Sequence, residues 1–353
     1  MAFYIFTYWI MVKSVEKRFI SAKTGGQMKK VKKILKRLII ILLILGAFMF
    51  LNNTSLLTKE RNDKPLLLAH RGMAQTFHME GITGETCTAE RIYEPEHSFL
   101  ENTIPSMEAA FAAGADAVEL DIQLTKDGQF AVFHDWTLEC RTNAKGNTRD
   151  YTMKELKKLD IGYGYTADNG KTYPFRGKGI GMMPSLDEVM KEFPEGDFLI
   201  HIKSNDPQEG EKLAEYLSMF SEDRLEKISV YGGDEPIAAL IEEMPAMRVM
   251  SKATLKECLL PYLGTGWTGY VPNSCHNTQL HIPESYTKLL WGWPNKFLNR
   301  MDDAGTRVIV VAGDGSWSEG FDRPEDMERL PDDYSGGIWT NRIDLIAPIY
   351  KNE

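Results

Sequence analysis

Short apolar segments alternate with amphipathic ones from about residue 65 to the end of the chain, and this alternation limits the possible folds more than any other feature. Buried strands are predicted at residues 66–69, 115–124, 130–133, 198–202, 228–230, 248–250, 307–311 and 337–339. Helices are predicted at residues 102–113, 151–160, 185–193, 207–220, 236–244 and 294–304. Short strands that alternate with helices indicate a parallel α/β architecture.

Polar side chains stand at the ends of several of these strands rather than at the end of one. They are His70, Glu119 with Asp121, His134, and His201 with Lys203. An open sheet usually gathers its site at one crevice, whereas a barrel collects residues from many strand ends on one face. We therefore predict a (β/α)8 TIM barrel over residues 65–353, and a doubly wound open sheet is the alternative.

A basic segment and an apolar run precede the predicted barrel. Lysines and one arginine cluster between residues 29 and 37, the run Leu38–Leu51 is apolar on every face, and no charge follows until Lys59. With residues 52–57 added, the uncharged stretch reaches the ~20 residues that a bilayer requires. Since no small-residue cleavage site follows Phe50, an uncleaved signal anchor is favoured over a removed signal peptide.

This pattern predicts four regions of the chain. They are a basic cytoplasmic N-terminus at 1–37, a transmembrane segment at 38–57, a linker at 58–64 and the barrel at 65–353. Because basic flanks stay on the cytoplasmic side, we expect a membrane-anchored protein whose barrel lies outside the cytoplasm, at the cell surface or in the periplasm.

The acidic charge of the chain argues against one class of binding partner. The formal net charge is −9 and the pI about 5.4, which argues against non-specific nucleic-acid binding, since such proteins usually carry a basic face.

The four cysteines, at positions 87, 140, 258 and 275, form no CxxC pair and no zinc-binding spacing. They are either buried thiols or one or two disulfides, the latter only outside the cytoplasm.

The carboxylates Glu119 and Asp121 suggest a metal site. Residues at i and i+2 of a strand point to the same side, and two carboxylates aimed together are costly unless a cation or proton lies between them. Hard divalent ions such as Mg²⁺ or Ca²⁺ suit oxygen ligands. The alternative is a solvated strand end that pairs with basic neighbours.

Two further pairs, His70-Arg71 and His134-Asp135, gain meaning from that carboxylate pair. Each is weak evidence alone, because a strand-end histidine beside a charge is common. Together the residues supply a cation to neutralise phosphate charge, an arginine to bind its oxygens and two imidazoles to move protons. This set is suited to metal-assisted cleavage of a phosphodiester.

The motifs also carry a family resemblance. Their fragments are Ala69-His70-Arg71-Gly72, Glu101-Asn102-Thr103, Glu119-Leu120-Asp121-Ile122, Lys126-Asp127-Gly128, Val132-Phe133-His134-Asp135 and Pro184-Ser185-Leu186-Asp187-Glu188. From about Leu66 to Lys203 the chain resembles the glycerophosphodiester phosphodiesterase family. The resemblance implies a (β/α)8 barrel, a divalent cation and hydrolysis of glycerophosphodiesters to glycerol 3-phosphate and an alcohol.

The resemblance also implies roles for individual residues. His70 and His134 would be the acid/base pair, and Arg71 would bind the phosphate beside them. Glu119 and Asp121 would hold the metal, and Glu101 would complete the carboxylate cluster as a ligand or as a support for the ligands.

The chain departs from the family pattern at His201, where the family carries a metal-binding glutamate. A histidine ligand is neutral and softer than a carboxylate, so it would favour Mn²⁺ or Zn²⁺ over Mg²⁺ or Ca²⁺. Alternatively, His201 leaves the coordination sphere and Glu101 or water substitutes for it. Lys203, two residues on, fits a cation that faces the substrate phosphate.

Two other segments depart from the pattern. Residues 73–100 read as an inserted loop on the catalytic face, and Cys87 within it could form a disulfide with Cys140. Trp267, Tyr270, Tyr286, Trp291 and Trp293, with His276 and His281, either line a pocket for an alcohol or lipid headgroup or belong to the core and its rim.

The expected partners are a small glycerophosphodiester or lysolipid substrate and the membrane, with no nucleic acid. Phospholipase D-like or lysophospholipase D-like cleavage of a lipid is the nearest alternative activity. A barrel that binds phosphodiesters without turnover is the alternative from another class, and His201 is the feature that supports it.

Overall fold

The computed structural model describes residues 25–58, 64–83, 86–316 and 319–351, and the chain divides into two units after Asn52. In the second unit, eight strands form a parallel sheet in the order β6-β5-β4-β2-β1-β9-β8-β7. The strands are β1 Leu66–His70, β2 Ala117–Leu124, β3 Phe130–Val132, β4 Asp197–Ile202, β5 Ile228–Gly232, β6 Arg248–Met250, β7 Gln279–Pro283, β8 Arg307–Val311 and β9 Gly337–Thr340, of which β3 lies off this path.

The two edges of the sheet meet at β6 and β7. Val249 forms a parallel bridge with Thr278, and the Thr278 hydroxyl donates to the Val249 carbonyl at 2.6 Å. The sheet is therefore a nearly closed barrel, which confirms the predicted (β/α)8 fold.

One predicted strand lies outside the parallel barrel, and one barrel strand was not predicted. Residues 130–132 form β3, which pairs antiparallel with β2 as a hairpin and is not one of the parallel barrel strands. The barrel strand that was not predicted is β7, whose sequence is Gln-Leu-His-Ile-Pro. Because polar residues occupy alternate positions in it, the sequence does not show the apolar run that indicates a buried strand.

Ten helices accompany the strands among the described residues. They are α1 Gly25–Asn53, α2 Ile104–Ala113, α3 Met153–Leu156, α4 Leu186–Glu192, α5 Pro207–Leu217, α6 Glu222–Leu225, α7 Asp234–Glu243, α8 Lys252–Thr265, α9 Asn295–Asp303 and α10 Ile343–Ile346. Helix α2, within the predicted range 102–113, begins after the cap Thr103, whose side chain accepts from the Ser106 N–H, and it ends at Gly114 with φ 117°. Helices α6, α8 and α10 were not predicted.

The first unit consists of α1 among its described residues. The segment Met28–Asn53 is long and apolar enough to cross a membrane, and none of its most apolar window is buried. A membrane anchor and a signal sequence both have this composition. Of the predicted N-terminus at 1–37 and linker at 58–64, residues 1–24 and 59–63 lie outside the described residues.

The core has layers inside and outside the barrel. Its interior is filled by Leu68, Ala117, Leu199, Ile309 and Trp339, and a larger apolar layer lies between the strands and the helices. A separate cluster that includes Ala89, Ile92 and Leu100 from the inserted loop packs against Leu138 and Tyr165. The inserted loop is thus a folded part of the barrel's upper face.

All four cysteines are paired. Cys87 forms a disulfide with Cys140, which the sequence had suggested as one possible pair, and Cys258 forms one with Cys275, for which no pairing was suggested. The first disulfide joins the inserted loop to the loop after β3, and the second closes the segment that runs from α8 to β7.

We expect peptide mapping of the unreduced native protein to recover both linked pairs, Cys87 with Cys140 and Cys258 with Cys275. Replacing either pair with alanine should lower the free energy of unfolding by about 2–4 kcal/mol, because the unfolded chain loses a cross-link. A reduced and alkylated sample is the control. Four free thiols in the unreduced protein would contradict the pairing.

Candidate active site

The turn after β1 places Arg71 against three carboxylates. Arg71 and Gly72 both adopt the left-handed conformation, with φ 60° and 75°, and a Cβ on Gly72 would lie 2.6 Å from Ser106 Oγ. This turn lets the Arg71 N–H donate to Glu119 Oε2 at 3.1 Å. Its guanidinium lies 2.9 Å from Glu101 Oε1 and 3.3 Å from Asp121 Oδ2.

The segment Glu101-Asn102-Thr103 holds this arrangement from the other side. Asn102, also left-handed with φ 59°, donates its amide to Asp121 Oδ2 at 2.9 Å and accepts from the Asp121 N–H at 3.1 Å. The second oxygen of Glu101 lies 3.1 Å from Arg141 Nη1. Each oxygen of Glu101 therefore contacts an arginine.

Glu119 and Asp121 are fully buried within β2. Burial is the main cause that raises the pKa of Glu119 to about 8, and repulsion from Asp121 is the second. Burial opposes ionisation of Asp121 as well, but Lys203 at 3.6 Å and Arg71 together hold the pKa of Asp121 well below its ordinary value. The Tyr231 hydroxyl donates to Glu119 Oε1 at 2.7 Å.

His201 completes the one group of metal-capable side chains found among the described residues. Its Nδ1 lies 2.8 Å from Asp121 Oδ1, and ligand atoms of Glu119, Asp121 and His201 all lie within 4.8 Å of one another. Burial is the main cause that lowers the pKa of His201 to about 4, and the charge of Lys203 is the second. The imidazole is therefore neutral near pH 7. The donor set therefore consists of two carboxyl groups, of which Glu119 has a raised and Asp121 a lowered pKa, and one neutral imidazole. This set fits one divalent cation.

His70 is oriented by an amide and a buried carboxylate. Its Nδ1 lies 2.6 Å from Asn341 Oδ1, and the Asn341 amide donates to Asp322 Oδ2 at 2.9 Å. The Arg71 Nε–H donates to His70 Nε2 at 3.2 Å. This network assigns the proton to Nδ1 and leaves Nε2 as an acceptor. Burial and the charge of Arg71 lower the pKa of His70 well below its ordinary value.

His134 is oriented by a hydrogen bond to a carboxylate instead. Its Nδ1 lies 2.6 Å from Asp135 Oδ1, and the other Asp135 oxygen lies 2.9 Å from Arg141 Nε. Burial disfavours the Asp135 carboxylate, but Arg141 and His134 hold the pKa of Asp135 well below its ordinary value. The Gln123 amide fixes this turn by donating to the Asp135 carbonyl at 2.6 Å.

A cavity of about 710 Å³ adjoins the site on the side of His70 and Arg71. The inserted loop contributes Phe77, Met79 and Tyr93 to its wall, and the segment after β8 contributes acidic and basic side chains. A ligand bound at Arg71 therefore has room to extend beyond the carboxylate cluster.

Seven of the sequence-predicted residues come together at one end of the barrel. They are His70, Arg71, Glu119, Asp121, His134, His201 and Lys203. Glu101 lies beside them but outside the metal-capable group, bound to two arginines. The prediction did not include Arg141, Tyr231, Asn341 or Asp322, which lie far from the motifs they support or in no predicted motif. For Tyr231 a signal was available, because it directly follows the predicted strand at residues 228–230.

Comparison with known proteins agrees with the geometry. The sequence profile of the Glycerophosphoryl diester phosphodiesterase family matches residues 70–256. A glycerophosphodiester phosphodiesterase from Bacillus subtilis is 31% identical over 58% of this chain and 68% of its own length. One from Caldanaerobacter subterraneus subsp. tengcongensis is 42% identical over 29% of this chain, and one from Bacillus altitudinis is 36% identical over 38%. These two alignments cover 39% and 55% of the relatives' own lengths.

Solved structures share the fold. A glycerophosphodiester phosphodiesterase from Agrobacterium tumefaciens superposes with a TM-score of 0.53 at 20% identity, over 80% of this chain and 99% of that one. The glycerophosphoryl diester phosphodiesterase domain of a Mycobacterium tuberculosis protein superposes with a TM-score of 0.58 at 15% identity, over 82% and 100%. With the profile match over more than half of the residues, the chain belongs to the glycerophosphoryl diester phosphodiesterase family.

Proposed function

We propose that this protein hydrolyses glycerophosphodiesters to glycerol 3-phosphate and an alcohol. The observation that carries the proposal is the convergence of Arg71, the buried carboxylates Glu119 and Asp121, and two oriented histidines at one end of the barrel. An Oleispira antarctica phosphodiesterase of the same fold was solved with the product sn-glycerol-3-phosphate, which supports this substrate class.

Glu119, Asp121 and His201 would hold a divalent cation, which neutralises charge on the phosphate when bound. Arg71 and Lys203 would bind the phosphate oxygens that face them. Glu101, bound to two arginines, is better suited to position Arg71 than to ligate the metal.

The two histidines divide the proton transfers because their partners differ. Asp135 is a full charge and stabilises an imidazolium on His134, whereas Asn341 is a neutral amide beside His70. We infer that neutral His70 accepts the proton of the attacking oxygen and that His134 donates one to the leaving alcohol.

The apolar segment at 38–57 would anchor the protein, with the barrel outside the cytoplasm. The basic flank supports this orientation, and so do the two disulfides, which persist in oxidising compartments. The disulfide mapping described above therefore also tests the location.

A second candidate activity is cleavage of lysophospholipids. A human lysophospholipase D is 32% identical over 54% of this chain, and the cavity beside His70 carries the apolar side chains Phe77, Met79 and Tyr93. A screen that compares water-soluble diesters with lysophospholipids distinguishes the two activities.

Replacing either histidine should remove most activity. His70→Ala and His134→Ala should each lower kcat by roughly 10²–10⁴-fold, because each change removes one proton transfer. The assay is release of glycerol 3-phosphate from glycerophosphocholine with a divalent cation present. His276→Ala, an exposed histidine outside the site, is the matched control and should keep wild-type activity.

Near-wild-type activity in His70→Ala or His134→Ala would contradict the assigned roles. Tight binding of the diester without product, under any divalent ion, would favour the non-catalytic barrel instead.

The identity of the metal should depend on His201. The wild-type protein, stripped with a chelator and reloaded, should be most active with Mn²⁺ or Zn²⁺, and His201→Glu should shift the preference toward Mg²⁺ or Ca²⁺. The measurement is the activity ratio across the four ions together with bound metal per chain. An unchanged ratio in His201→Glu would show that His201 does not ligate the metal.

Arg141 should act through the residues that it positions. Arg141→Gln leaves Asp135 and Glu101 without a buried cation, so kcat should fall by at least tenfold. Since the uncompensated Asp135 carboxylate then favours the imidazolium form, the limb of the pH–rate profile that reports His134 should move to higher pH.

Arg224→Gln is the control for Arg141. Arg224 is also buried, but its guanidinium donates to backbone carbonyls such as that of Phe193, away from the site. Both variants should lose stability, and only Arg141→Gln should move the profile. Equal shifts in both would mean that Arg141 has a purely structural role.

A further inference from the structure

The disulfide between Cys258 and Cys275 closes a segment that contains no charged residue. Its sequence is Cys-Leu-Leu-Pro-Tyr-Leu-Gly-Thr-Gly-Trp-Thr-Gly-Tyr-Val-Pro-Asn-Ser-Cys, in a chain of which 26% of residues are charged. We call residues 258–275 the closed loop. It begins within α8 and ends shortly before β7. A surface segment of this length normally carries charges, so its composition calls for an explanation beyond solubility.

The closed loop exposes large apolar side chains. Leu260 is 65% exposed, Tyr270 54% and Leu263 38%. The Trp291 indole N–H donates to the Leu263 carbonyl at 2.8 Å, which brings the connection after β7 alongside the loop. That connection adds Leu289, which is 62% exposed. Two segments that are distant in sequence thus contribute to one apolar surface.

The chain enters the barrel unit at this same loop. Asn53 is the first residue of that unit and the last residue of the apolar segment Met28–Asn53. Its side-chain amide donates to the Trp267 carbonyl at 2.9 Å, and Arg300 bonds both Asn53 Oδ1, at 3.2 Å, and the Gly266 carbonyl, at 3.0 Å. The residue at which the apolar segment meets the barrel unit is therefore held against the closed loop by hydrogen bonds.

We propose that the closed loop, together with Leu289, is seated in the interfacial region of the lipid bilayer. This inference rests on the membrane anchoring given under the proposed function. Trp and Tyr side chains favour the level of the lipid headgroups, and leucine side chains gain by leaving water. Because the loop carries no charge, its insertion desolvates no ion and requires no anionic lipid.

A second contact with the bilayer would restrict rotation of the barrel about its anchor. The disulfide and the hydrogen bonds of Trp291 and Arg300 hold the loop in one conformation, so little ordering remains to be done on insertion. The bilayer would then set the orientation of the catalytic face.

Photo-crosslinking of the full chain in phosphatidylcholine vesicles tests the proposal. The photoreactive residue p-benzoylphenylalanine is placed at Leu260 or at Tyr270 in separate variants. Leu43, within the apolar segment, is the positive control, and Met219, an apolar residue 71% exposed on another part of the barrel, is the negative control. We expect lipid adducts at Leu260, Tyr270 and Leu43 and at most a tenth of their yield at Met219.

The outcomes separate this inference from the anchoring on which it rests. Adducts at Leu43 without adducts at Leu260 and Tyr270 would overturn the inference and leave the anchor intact, whereas no adduct at Leu43 would overturn both. Adducts of the loop with a second copy of the protein would identify a self-association surface instead. Addition of anionic lipid should leave the loop yields unchanged, and a severalfold rise would contradict an uncharged mode of insertion.

Discussion

The site is organised by two carboxylates that are buried side by side on one strand. Glu119 and Asp121 point to the same side of β2, and both are fully buried from solvent. Arg71 and Lys203 hold Asp121 ionised, while Glu119 tends to keep a proton near neutral pH. The left-handed turns at Arg71 and Asn102 make sense in this context, since each presents hydrogen-bond donors to this pair. The pair is costly as it stands, and a divalent cation would relieve that cost.

Arg141 connects this pair to the second histidine. Its guanidinium contacts Glu101, which orients Arg71, and Asp135, which orients His134. It also donates to Thr88 of the inserted loop at 2.7 Å. The neighbouring Cys140 is linked to Cys87 in that same loop, so a disulfide and a hydrogen bond restrain the same two segments. The inserted loop therefore supports the site as well as forming the wall of the cavity beside it.

Sequence reasoning found the residues whose chemistry is local to a motif. His70-Arg71 and His134-Asp135 stand at or just after strand ends, and strand periodicity puts Glu119 and Asp121 on the same side of one strand. The predicted barrel then brings residues of different strands to one face. Asn341 and Tyr231 escaped prediction because their roles depend on contacts across the barrel, with sequence separations of 271 and 112 residues. Strand β7 escaped because Gln279 and His281 face the barrel interior, where a buried polar pair imitates the pattern of an exposed segment.

The histidine at position 201 makes specific contacts within the site. Its ring stacks on Tyr231 with centroids 4.1 Å apart and an interplanar angle of 14°, a contact that a glutamate side chain would not make. The same tyrosine donates its hydroxyl to Glu119, so one residue supports two members of the metal-capable group. A third carboxylate at this position would add another negative charge to a cluster in which Glu119 already tends to keep its proton. A neutral imidazole lowers that repulsion, at the expense of affinity for hard cations.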